Sequence, residues 1–177
     1  PMTWPSSADA LADRGETVRS RRVPGHVIGT PPCQSSFENL ARTYRRFGGL
    51  QTGQAFSRQM WQRNGGSTCA SLAERLAAGQ MFGWTWQGDF WVPMFQVDRD
   101  SLAVRPGPRL VLAELKGVFD GWSLAQWFVH PSVWLRGRLP LEVLAARPAA
   151  VVLAARGDRV IAGAVSYTHL RAHETKA

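Results

Sequence analysis

Between Trp127 and Ala155 the chain is punctuated at fixed points, and the punctuation leaves it few ways to fold. Pro131 stops a helix ending near Val129, because proline disfavours helical geometry in the residue before it. Gly137 suits the left-handed position that follows the next short turn. Pro140 suits the first turn of a further helix, where its missing N–H costs nothing. Leu141 and Leu144 then share one face with Val143 beside them, and Glu142 falls in the first turn, where negative charge is favoured. Arg147-Pro148 opens a last helix, Ala149 to Arg156, which Gly157 should end.

Upstream, the pattern predicts a different kind of unit. Residues 1–33 are rich in proline, glycine and serine without apolar periodicity and read as a disordered leader, with Arg19, Arg21 and Arg22 as a small basic cluster. Pro1 before Met2 places the natural start at Met2 or further upstream. From 34 to 98 the spacing predicts three helices and a hairpin. The first is capped by Ser36, carries Phe37, Leu40, Ala41, Tyr44 and Phe47, and ends at Gly48-Gly49. The second spans Thr52 to Arg63. The third, capped by Ser67 or Thr68, carries Cys69, Leu72, Ala73, Leu76 and Ala77. Phe82–Trp86 and Phe90–Phe95 flank Gln87-Gly88-Asp89, which reads as a β-hairpin. Trp84, Trp86 and Trp91 are expected to alternate between its faces, leaving one face for a partner or for the second helical unit.

Three helices followed by a hairpin is the order of a helix-turn-helix with a wing. On that reading Ser67, Thr68, Ser71, Glu74 and Arg75 would face a DNA groove, although the set is poor in arginine and lysine. Residues 99–107 read as a linker, bounded by Pro106-Gly107-Pro108. Arg109 to Phe119 is helical, Asp120-Gly121 breaks it, and Ser123 caps the helix that carries Leu124, Trp127 and Phe128. The expected fold is therefore mainly α: a helix-turn-helix-like unit with a β-hairpin, then a small helical domain over 108–164.

The segment Trp127-x3-Pro131-x2-Trp134-Leu135-x-Gly137-Arg138-x-Pro140-Leu141-Glu142-x-Leu144 resembles the toxin-binding domain of MbcA/ParS/Xre-type antitoxins. The resemblance covers about a third of the chain. It implies a non-enzymatic antitoxin-like protein that binds and silences a cognate toxin. In that family the toxins are RES-domain proteins that consume NAD, while the antitoxin uses no cofactor. Trp127, Pro131, Trp134, Leu135, Gly137, Pro140, Leu141 and Leu144 would be architectural, and Arg136 and Arg138 would reach the partner. Antitoxins often repress their own operon, so DNA binding is compatible with this reading. A stand-alone DNA-binding regulator is the alternative, and a homodimer is compatible with either.

Composition leaves the partner open, and no catalytic constellation is expected. The chain carries a net charge of +8 and eight tryptophans. Nearly all the basic surplus is arginine, which suits nucleic acid or simply a positive, soluble surface. Cys33 and Cys69 form neither a disulfide framework nor a zinc site, so a reducing cytoplasm is the expected compartment, with no metal. No apolar run is long enough to span a bilayer, which takes about 18 residues. His130 could act as a base or merely cap its helix, and no nucleophile, carboxylate pair or phosphate loop accompanies it.

Residues 165–177, beginning Val165-Ser166-Tyr167-Thr168-His169-Leu170-Arg171, resemble a translated sequencing adapter, so the native frame is expected to end near Ala164. His169, His173 and Glu174 then mimic a helical metal site by accident. Deleting 165–177 should shift the melting temperature by no more than about 1 °C, as for a segment without core contacts. A larger drop in a thermal melt, or metal binding through these histidines, would count against the adapter reading.

Overall fold

The computed structural model describes residues 33–63 and 71–174, with side chains described as far as Ala164. The leader up to residue 32, the segment 64–70 with Ser67 and Thr68, and the side chains of the 165–177 tail lie outside the described residues. The rest is mainly helical with one small antiparallel sheet.

Helix α1 (Gln34–Tyr44) buries Phe37, Leu40 and Tyr44, as their spacing predicts. Its N-cap is Cys33 and not Ser36, which lies inside the first turn with its hydroxyl 2.9 Å from the Cys33 sulfur. A 3-10 turn (Arg45–Phe47) leads into Gly48 and Gly49, both at positive φ. The chain then forms a strand that the helical reading overlooked, β1 (Leu50–Thr52). Three residues are too few for a period of two to show in the sequence, and they pair only with a distant strand. Helix α2 (Gly53–Arg63) follows directly. Thr52 Oγ1 accepts from Ala55 N–H, so the expected helix start at Thr52 is its capping residue.

Helix α3 spans only Leu72–Ala77. Its cap is Ser71, in a capping box: Ser71 Oγ accepts from Glu74 N–H, and a Glu74 carboxylate oxygen accepts from Ser71 N–H at 2.6 Å. The start expected at Ser67 or Thr68 is thereby corrected for this helix. Strands β2 (Trp84–Trp86) and β3 (Asp89–Pro93) form the anticipated hairpin, with Gln87 and Gly88 at positive φ as a two-residue turn requires. The sheet order is β1-β3-β2, so the overlooked strand covers one edge of β3.

The sheet divides two apolar clusters. Trp84 is directly opposite Trp91, and side chains two apart share a face, so Trp84, Trp86 and Trp91 all point to one side. The expected alternation of these three is thus corrected. Trp86 stacks on Phe37 of α1 at 3.8 Å, and Trp91 meets the same ring edge-on at 5.2 Å. The opposite face carries Phe90 and Val92 against Phe56, Met60, Leu72, Met81 and Met94.

The segment expected to be a linker is folded. Asp98 Oδ1 accepts from the N–H groups of Asp100 and Ser101 and from the Ser101 hydroxyl. These bonds hold the carboxyl below the usual carboxylate range. The loop they shape returns so that Val97 pairs with Val104 and Leu102, at φ 55°, is buried in the second cluster. Pro106-Gly107-Pro108, expected as a boundary, is the first turn of helix α4 (Pro106–Leu115).

Helix α5 (Gly121–Val129) is capped by Asp120, whose carboxylate accepts from Ser123 N–H, so the cap expected at Ser123 is corrected to Asp120 and Ser123 lies inside the first turn. It stops where Pro131 requires. A 3-10 turn (Val133–Leu135), helix α6 (Pro140–Leu144) and helix α7 (Pro148–Glu174) complete the chain. One cluster runs through α1, the tryptophan face of the hairpin, and α4 to α7. Tyr44 Oη donates to the Ala125 carbonyl at 2.8 Å inside this cluster, and burial pushes its pKa well above the usual value. Among the described residues no helix is long and apolar enough to cross a membrane.

Gln96 closes the sheet end. It is fully buried; its side-chain oxygen accepts from Phe82 N–H at 2.8 Å, and its amide donates to the carbonyls of Phe82 and Pro93. Replacing Gln96 by leucine leaves three backbone groups unpaired, and we expect a loss of at least about 3 kcal/mol in chemical denaturation, from about 1–3 for each orphaned group. An unchanged midpoint would show that the backbone finds other partners.

Candidate functional site

The punctuated segment folds into a rigid turn on the face of the α5–α7 helices. Ser132 N–H donates to the Arg138 carbonyl at 3.0 Å, and Gly137 N–H donates back to the Ser132 carbonyl at 2.9 Å. Arg136 and Gly137 both lie at positive φ, 57° and 76°. Glycine reaches that region without strain, whereas Arg136 carries a small cost that the surrounding bonds hold in place. Pro140 opens α6, and Pro140, Leu141, Val143 and Leu144 are buried, while Leu135 plugs the turn into the core from the other side.

The turn therefore buries its apolar residues and displays the rest. Arg136 and Arg138 are exposed, and among the described residues neither has a carboxylate within ion-pair distance. Val133 is 84% exposed and Trp134 is 52% exposed. Trp134, expected to be architectural, is thus a surface residue with one side held down.

What holds Trp134 is a carboxylate that the sequence did not advertise. Trp134 Nε1 donates to Asp158 Oδ1 at 2.8 Å, and Trp127 Nε1 donates to Asp158 Oδ2 at 2.8 Å. One acid of α7 thereby fixes an indole from α5 and another from the turn. The residue before it, Gly157, makes room: a Cβ there would lie 2.6 Å from the Trp134 ring. Gly157 was expected to end the last helix, yet α7 runs through it to Glu174. Glycine is tolerated inside a helix at a modest cost, and here its missing side chain is the seat of an indole. The signal in the sequence was a lone Gly-Asp pair within an alanine-rich helical run, which reads as a break until the tryptophans are placed.

The residues expected at a DNA groove are disposed differently. Ser71 is occupied in the capping box, and the half-buried Arg75 donates through Nη1 to the Leu102 carbonyl at 2.7 Å. Ser67 and Thr68 lie outside the described residues. With six residues, α3 offers little length to a groove.

A separate open groove of about 290 Å³ lies between α1 and α5, lined by Ser36, Asn39, Leu40, Thr43, Gln126, Val129 and His130. His130 Nδ1 is 2.7 Å from the Gln126 carbonyl, the helix-end role expected of it, and the lining holds no carboxylate to orient its ring. Among the described residues no three His, Cys, Asp or Glu side chains are grouped to hold a metal.

The Asp158 clamp is testable without a partner. Asp158→Ala should leave two indole N–H groups without their acceptor and release Trp134, seen as a red-shifted and less anisotropic tryptophan emission. Its cost in stability should be about 1–3 kcal/mol, as for bonds to a charged group. Gly157→Leu should displace the same indole by contact. If neither variant changes the emission, Trp134 is held by something else.

No family model, curated protein or solved structure matches this chain.

Proposed function

We propose that this chain is an antitoxin-like protein that binds a partner toxin through the turn at 131–140. The observation that supports it is the display, on a backbone stiffened by bonds between Ser132 and Arg138, of a clamped tryptophan and two guanidinium groups that have no carboxylate partner among the described residues. Tryptophan and arginine dominate binding hot spots because they bury large areas or make paired, planar hydrogen bonds to carboxylates. A surface fixed before binding also loses little conformational freedom on association. The resemblance to MbcA/ParS/Xre-type antitoxins supplies the class of partner, a RES-domain toxin whose acidic groups would meet Arg136 and Arg138. On this reading the chain performs no catalysis and needs no cofactor; it acts in the cytoplasm by occupying the toxin.

A second reading, a DNA-binding regulator, is favoured by the order of α1, α2 and α3 before the hairpin, which matches a winged helix-turn-helix. The two readings use opposite ends of the chain and are compatible in one molecule.

Co-expression with the product of the adjacent gene, followed by pull-down and calorimetry, tests the first. Arg138→Ala should weaken the complex by about 1–3 kcal/mol, the range of an interface hot spot, while thermal stability stays near wild type. Trp134→Ala should also weaken binding; with the ring half exposed, its cost to the fold should fall below the roughly 3–5 kcal/mol of a fully buried aromatic. A neighbour that fails to bind, or that binds Arg138→Ala as well as wild type, would remove this interface.

A further inference from the structure

A second set of basic side chains lies outside that turn. Between Gln34 and Arg63 there are five arginines and a single carboxylate, Glu38. Arg42, Arg45 and Arg46 stand at the end of α1 and in the 3-10 turn that follows it, all exposed. Spaced three and four apart, they are neighbours on one helical surface. A fourth cation joins them from a distant part of the chain. Arg99 leaves the Asp98 loop and brings its Nη2 to 3.7 Å from the Cβ position of Gly48, the residue that ends the turn. Among the described residues none of the four has a carboxylate partner.

Such a cluster works against the isolated fold. A positive side chain at a helix C-terminus is favourable, and one would satisfy the helix dipole. Arg42 and Arg46, four apart and alike in charge, repel each other, and Arg99 adds to that repulsion. The fold does not require the arrangement, because the α1 core contacts are made by Phe37, Leu40 and Tyr44 on the other face. A polyanion is what would make the cluster favourable. Guanidinium groups suit phosphate in particular, since each can donate two parallel hydrogen bonds. A membrane surface fits less well. Interfacial binding needs exposed apolar side chains beside the charges, whereas Phe47 is half-buried beneath the Arg46 guanidinium, and among the described residues none of the large exposed apolar side chains belongs to α1 or the turn after it.

We propose that Arg42, Arg45, Arg46 and Arg99 form a phosphate-binding surface that grips the backbone of duplex nucleic acid without reading its sequence. It stands apart from the toxin-binding reading and from base readout by α3, so either can fail without it. The experiment measures fluorescence anisotropy of a short, mixed-sequence DNA duplex titrated with the full chain over a range of salt. Two triple variants are compared, R42Q/R45Q/R46Q and R109Q/K116Q/R147Q, which remove equal charge from exposed positions inside and outside the cluster; thermal melts confirm that both fold. The first should weaken binding at least tenfold and reduce the slope of log affinity against log salt by about 3 units, near one for each phosphate left without its arginine. The second should lower affinity only slightly, and R99Q alone should lower the slope by about 1 unit. Scrambling the duplex sequence should change nothing. Equal losses in the two triples would reduce the effect to net charge and overturn the proposal. So would an absence of binding at low salt, or binding to vesicles of phosphatidylcholine and phosphatidylserine in equal parts with none to the duplex.

Discussion

The side chain of Gln96 stands where a strand neighbour would otherwise be needed. Phe82 enters the hairpin with its N–H and C=O both turned inward, and Gln96 pairs with both while also reaching the Pro93 carbonyl. A buried amide with every group used is favourable, whereas the same groups unpaired would each cost free energy. The consequence spreads beyond the hairpin. Fixing Phe82 and the 3-10 turn Met94–Gln96 places the rings of Phe82 and Phe95 against Phe128 of α5, at centroid distances of 5.7 and 4.7 Å. Phe95 also lies over Tyr44 of α1. One glutamine thus sets how the sheet meets both the first helix and the helices that carry the candidate site.

Around that junction the sheet acts as a partition. Its tryptophan face joins α1 to the helices after residue 106 in one continuous cluster, and its other face closes a smaller cluster with α2 and α3. The first helix and the hairpin therefore share a core with the helices after residue 106. Gly121 marks how close they come: its α-carbon lies against the Gly83 carbonyl, where no side chain would fit. A change that loosens the hairpin should be felt at the 131–140 turn through α5, without any direct contact between the two.

The display of the turn depends on the same economy. Pro131, Gly137 and Pro140 shape the backbone, but the direction of Trp134 is decided by Asp158 and by the space above Gly157. A half-exposed indole with its N–H already bonded offers a partner a flat apolar face and asks for no further hydrogen bond. The arginines beside it, which have no carboxylate partner among the described residues, supply the polar half. The end of α1 and the turn after it present a second set of exposed arginines.

Several parts of this were legible in the residues alone. Pro131, Gly137 and Pro140 lie where the chain must stop, turn left-handed and restart, because proline and glycine act through their own backbone and need no distant partner. The buried stripe of α1 was legible in its apolar spacing, and the hairpin in the residues that flank Gly88, although Asp89 belongs to β3 and not to the turn. Strand β1, the folded Asp98 loop and the passage of α7 through Gly157 were not. In each case the local preference was weak or contrary, and a contact from elsewhere outweighed it: β3 for Leu50–Thr52, the second cluster for Leu102, the Trp134 ring for Gly157. Local chemistry determined where this chain bends and which faces are apolar. Tertiary packing decided which tryptophans are buried and which is displayed, because burial depends on what arrives on the other side.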